Sequence, residues 1–183
     1  QARALDADRK LAHAAEHHMV AFAESVDVEA LTDAELPVHG AINANRMGEA
    51  AQRFNQAFLI SPEQSGVYQG FAAVTLARFK DLDATEELFK VALKQPHPMK
   101  ALNADYGRFL LIAKRPKDAQ PVLEQAIKDA PDFADAWTNL AWARFQNGDQ
   151  AAACAAAEEA SKQRPSATSA GDLTAVRDRA QCK

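Results

Sequence analysis

Only two cysteines, two tyrosines, seven glycines and eight prolines occur in these 183 residues. Valine, isoleucine and threonine are sparse beside alanine. So few breakers leave room for uninterrupted helices, and so few β-branched residues argue against an extended sheet. No stretch reaches the roughly 18 consecutive apolar residues of a membrane-spanning helix. A basic surplus is missing too: 21 Lys+Arg stand against 25 Asp+Glu, a net charge of −4. Nucleic-acid binding gains affinity by releasing phosphate counterions against a basic face, so that class of partner is set aside. Gln1 is not an initiator, and the chain reads as trimmed or processed, with a removed signal peptide and a removed upstream domain both compatible.

Catalytic signatures are equally thin. There is no phosphate-cradling glycine loop and no Gly-x-Ser-x-Gly elbow. Adjacent carboxylates such as Glu86/Glu87 and Glu158/Glu159 splay apart on a helix and read as solvated faces. The one motif that imitates an active site is "HAAEHH", residues 13 to 18, which holds the His-x-x-Glu-His spacing of a group of zinc peptidases. At 100° per residue, Leu11, Ala15, His18 and Phe22 share the packing arc of a helix, and His13 and His17 point away from it. Two imidazoles four residues apart can pick up adventitious nickel or zinc. A hydrolase using His13, Glu16 and His17 needs a third ligand, an open coordination position and a water-excluding cleft as well. The expectation is no cofactor, no functional metal and no enzyme.

What is present in quantity is apolar, 48% of the chain, and it recurs at a fixed interval. Ala92, Ala126 and Ala160 lie 34 residues apart, as do Phe89, Leu123 and Ala157. Further columns are Thr85, Ala119 and Ala153; Ala72, Tyr106 and Leu140; and Ala73, Gly107 and Ala141. Pro131 and Pro165 close two of the units. Within the last, Trp137, Leu140, Ala141 and Phe145 give one apolar helix face. "NGD" at 147 to 149 follows, with Gly148 able to take the left-handed conformation that ends a helix. Ala153, Ala157 and Ala160 give a second helix with a narrow small-residue stripe.

The stretch "ADAWTNLAWARFQNGDQAAACAAAEEASKQRP", from Ala134 to Pro165, resembles a tetratricopeptide repeat, and the 34-residue period matches that family. The resemblance implies an all-α solenoid of stacked antiparallel helix pairs. Three units are clear, 66–99, 100–133 and 134–167, and 31–65 is a degenerate fourth in which Ala50, Phe54, Ala57 and Pro62 repeat the spacing of Ala119, Leu123, Ala126 and Pro131. Where the family favours an aromatic late in the first helix, the units carry Leu76, Leu110 and Arg144, with Phe145 the expected substitute. Residues 1–30 are assigned to an N-terminal helix that caps the array or binds a partner, and 168–183 to a C-terminal capping helix. "SATSAGD", 166 to 172, reads as a loop, and Asp172 as the N-cap of that last helix.

The resemblance also implies a groove lined by the first helices, which take a protein or peptide segment. Its positions here are Val67, Phe71, Val74 and Arg78, then Ala101, Asp105, Arg108 and Ile112, then Asp135, Thr138, Asn139, Trp142 and Gln146. Trp142 is a candidate anchor, and packing against a cap is its alternative role. Members of the family that grip acidic chaperone tails use Lys, Asn, Asn, Lys and Arg. The matching positions, Gly70, Val74, Asp105, Asp135 and Asn139, do not supply that clamp.

Cys154 turns toward the terminal helix that carries Cys182. A disulfide stapling the cap, or two separate thiols, are both open. "ALNADYGRFLL", 101 to 111, is similar to the corresponding stretch of type IV pilus pilotins. That similarity implies a bacterial envelope or secretion assembly factor, with the periplasm as the expected compartment and the cytoplasm as the alternative. The third reading is a homo-oligomer whose groove binds a terminal helix from a second copy.

Overall fold

The computed structural model describes residues 47–182, and among them there are eight helices and no strand. The chain divides into two units, 1–62 and 63–183. In the first, α1 (Met47–Ile60) carries Ala50 and Phe54 as buried residues, and its last amides run into a turn in which Ser61 donates to the Ala57 carbonyl. The N-terminal helix expected within residues 1–30, with its histidine motif, lies outside the described residues.

The second unit is a row of antiparallel pairs: α2 (Ser65–Phe79) on α3 (Leu82–Leu93), α4 (Leu102–Ile112) on α5 (Pro116–Asp129), and α6 (Ala134–Gln146) on α7 (Gln150–Lys162). α8 (Ala167–Arg179) ends it, packed on α6 and α7. The small-residue columns explain the close pairing. Ala92, Ala126 and Ala160 are buried, as are Thr85, Ala119 and Ala153. At Gly107 the approach leaves no space at all: a Cβ there would lie 2.4 Å from Leu123 Cγ and Cδ2. Larger side chains fill the gaps between pairs, with Phe89 5.4 Å from Tyr106 and 5.6 Å from Phe109, centroid to centroid. Phe145 packs against the same core, in the place the sequence assigns to it beside Arg144.

Each first helix stops by the same device. Lys80, Lys114 and Gly148, spaced by 34, adopt positive φ of 54°, 59° and 90°. After Lys114 and Gly148 the next amide folds back onto the helix, Arg115 N donating to Leu110 O and Asp149 N to Arg144 O, and at Lys80 the residue's own N–H donates to Leu76 O, which satisfies carbonyls that a helix end otherwise leaves open. Second helices begin on local acceptors. Asp81 caps α3 by accepting from Ala84 N, and Asp149 caps α7 by accepting from Ala152 N. Pro116 starts α5 at a position where its missing N–H costs nothing.

Charged groups join the pairs at one edge. Glu86 on α3 accepts from Arg115 Nη1 at 2.6 Å and from the Tyr106 hydroxyl at 3.2 Å, with Lys90 Nζ 3.6 Å away. Burial alone would raise the Glu86 carboxyl; the hydrogen bond and charge of Arg115, with Lys90 and Tyr106, outweigh it and hold the group below its ordinary value.

One sequence expectation is corrected. Residues 166 to 172 are not a loop, and Asp172 is not an N-cap. Ser166 is the cap, its hydroxyl accepting from Ser169 N at 3.1 Å, and the helix already runs through Asp172. The polar, small-residue composition that suggests a loop is instead a helix start. Ser169 is buried, with its hydroxyl bonded to Thr138 on α6.

Candidate partner-binding surface

The first helices repeat three columns at the 34-residue interval: Phe71, Asp105, Asn139; Val74, Arg108, Trp142; and Arg78, Ile112, Gln146. Their exposure differs by column. Arg78, Ile112 and Gln146, near the C-terminal ends of α2, α4 and α6, are all open to solvent, and Ile112 is 52% exposed. Beside Arg78, whose guanidinium lies 5.3 Å from its ring centroid, Phe79 is 65% exposed. Val74 is buried, and Arg108 and Trp142 are partly covered. In the remaining column Phe71 is half-buried, Asp105 exposed and Asn139 buried. Val67 and Thr138 are buried as well. The groove positions are therefore a graded surface, and its open part is the third column with Asp105.

Polar bridges run between successive first helices. Gln69 Nε2 donates to Asp105 Oδ2, linking α2 to α4. Asn139 Nδ2 donates to Ala104 O at 3.5 Å, and Arg108 Nη1 donates to Asn139 Oδ1 at 3.5 Å, linking α4 to α6. The same Arg108 Nη1 donates to Asp172 Oδ2 at 2.8 Å.

α8 thus covers one end of this surface. Trp142 Nε1 donates to the Asp172 carbonyl at 3.1 Å, and the Arg179 guanidinium sits 5.3 Å from the Trp142 ring centroid. The ring also meets Phe145 edge-on at 6.0 Å. Ser166 Oγ donates to Asp135 Oδ2 at 3.2 Å. Trp137 is satisfied separately, its indole N–H donating to Pro131 O at 2.8 Å. Asp172, Ser169 and Arg179 complete the arrangement but are absent from the sequence-based set. Their only sequence signal is the i, i+3, i+7 spacing of Ser169, Asp172 and Val176, which a loop assignment hides.

Cys154 on α7 and Cys182 beyond α8 are joined as a disulfide, with Cα atoms 5.3 Å apart. Among the described residues no three His, Cys, Asp or Glu side chains converge on a point where a metal ion would fit, and no helix is long and apolar enough to cross a membrane. His13 and His17 lie outside those residues. The exposed side chains on this face are the guanidinium of Arg78, the carboxylate of Asp105, the amide of Gln146 and the aliphatic side chain of Ile112.

Residues 110–175 match a family model described as tetratricopeptide repeat. No curated protein sequence matches the chain. Among solved structures, pilF from Pseudomonas aeruginosa aligns at 20% identity over 84% of this chain and 70% of its own, with a TM-score of 0.69. YrrB, described as a TPR protein with an unusual peptide-binding site, aligns at 16% identity over 79% of this chain and 74% of its own, with a TM-score of 0.57. MamA from Desulfovibrio magneticus RS-1 aligns at 18% identity over 79% and 91%, with a TM-score of 0.55. At these identities the likeness is one of fold, an all-α solenoid of helix pairs.

Proposed function

We propose, for a chain that carries tetratricopeptide repeats, a non-catalytic role as a scaffold that binds a protein or peptide segment along its first helices. The observation that supports this best is the open column Arg78, Ile112 and Gln146, repeated at the interval of the array. A repeated row of mixed charge, amide and aliphatic groups matches an extended or helical peptide better than a compact small molecule. Asp105, also exposed, adds a carboxylate bridged to Gln69 of the preceding first helix. The remaining groove positions, Phe71, Val74, Arg108, Asp135, Asn139 and Trp142, shape the floor and its α8-covered end.

The setting we favour is assembly of a bacterial envelope or secretion structure. The disulfide suits an oxidising compartment, and the fold shared with pilF makes pilus components the first partners to try. A photo-crosslinking amino acid placed at Ile112 or Gln146, with Lys128 on α5 as control, tests the surface in extracts of the native source. Adducts from both first-helix positions and none from Lys128 are expected. Equal labelling from Lys128, or no adduct at either groove position, overturns the reading.

A further inference from the structure

We propose that the Cys154–Cys182 disulfide is a redox latch that keeps α8 over the Arg108–Trp142 end of the candidate surface. α8 is a 13-residue helix, a length that is marginal in water without docking. Its docked face is small: Leu173 and Val176 are the only large apolar side chains it buries, with Ser169 and Ala180 beside them. Its polar ties are at least partly solvated, since the Arg108 and Asp172 side chains are 42% and 36% exposed. Such contacts hold a helix weakly. The covalent bridge changes that balance, because it closes a loop of sequence separation 28. A closure of that size favours the docked arrangement by on the order of a few hundredfold.

Both cysteines keep partial solvent access, so a small dithiol can reach the bridge. One thiolate of the dithiol attacks a bridge sulfur, forming a mixed disulfide and expelling the other cysteine as thiolate. Its second thiol then displaces the remaining cysteine. Two electrons pass to the protein, two protons end on Cys154 and Cys182, and the dithiol leaves as its own disulfide. Once the tail is free at its far end, α8 is held by its non-covalent contacts alone. Its departure uncovers the indole of Trp142, the guanidinium of Arg108 and the hydroxyl of Thr138 together. The latch stands on these contacts, and only its consequence for a partner rests on the scaffold reading.

Hydrogen exchange of the intact chain, oxidised and then reduced with dithiothreitol, tests the latch without any partner. The Cys154→Ser/Cys182→Ser chain serves as an open control in the absence of reductant. Amides from Ser169 to Gln181 are expected to exchange at least tenfold faster in both open forms, with α4 and α5 unchanged. In a Trp137→Phe background, Trp142 emission is expected to move to the red and become accessible to acrylamide. Unchanged protection of α8 in both open forms overturns the latch, as does an equal rise across α4 to α7, which marks the bridge as a general stabiliser. A latch that opens while no partner crosslinks at Ile112 leaves this inference standing and removes only the scaffold reading.

Discussion

Arg108 on α4 and Asp172 on α8, 64 residues apart, meet at 2.8 Å, and Asp172 gives its carbonyl to Trp142 from the same turn. Two candidate binding residues are thereby committed to one residue of the chain's own last helix. The ion pair is more than a third exposed on both sides, so its coupling is expected at about 0.2–1 kcal/mol and should shrink with salt. A denaturation cycle of Arg108→Gln and Asp172→Asn at low and high ionic strength measures it. A coupling above about 2 kcal/mol, or one insensitive to salt, contradicts a solvated pair. Because of this contact, Arg108→Glu disturbs α8 as well as any partner, and Ile112 is the cleaner position for binding tests.

Gly107→Ala should destabilise the chain, although alanine is the better helix former. The added methyl meets Leu123 Cγ at 2.4 Å, an overpacking cost of about 1–3 kcal/mol, against a helix-propensity gain of up to about 1 kcal/mol. A net loss of about 1–2 kcal/mol is expected from urea titration. The double change Gly107→Ala/Leu123→Ala should show favourable coupling, and strict additivity of the two losses would refute the clash.

Lys80 and Lys114 hold the left-handed conformation that Gly148 holds in the next unit. Lys80→Gly and Lys114→Gly should each raise the thermal midpoint, by up to about 1 kcal/mol of stability, since glycine carries no Cβ penalty there. Gly148→Ala should lower it by a similar amount. Calorimetry of the three variants decides; destabilisation by both lysine changes would contradict the strain assigned to these turns.

The Glu86 carboxyl is held below its ordinary value of 4.5 in the folded chain. Its ionised form therefore contributes stability that is fully present above that value and fades as pH falls through the lower folded one. Glu86→Gln should cost stability near neutral pH, and the gap from the parent chain should narrow as pH falls below the ordinary carboxylate value. Urea midpoints from pH 7 downward test this. A gap that widens on acidification would reverse the assigned sign.

Periodicity made the fold legible. Alanine columns 34 residues apart dictate close helix pairs, and Ala92, Ala126 and Ala160 are all buried as such columns require. The stops of the first helices were only partly visible, because Lys80 and Lys114 look like ordinary surface residues and only Gly148 declares its backbone. Exposure along the groove columns could not be read from spacing either. Val74 and Asn139 occupy equivalent faces to the open residues but lie beneath neighbouring groups. The start of α8 was hidden for a chemical reason: serine caps and small residues serve loops and helix entrances alike, and the bond from Ser169 to Thr138 that decides between them joins residues 31 apart.

The fastened tail has an evolutionary corollary. Since α8 packs on α6 and α7 and the tail beyond it is bonded to Cys154, a duplicated hairpin inserted just ahead of Pro165 would part the two cysteines. A duplicate inserted there would become the new penultimate neighbour, and it would have to carry a thiol where Cys154 now stands for the hasp to keep its eye.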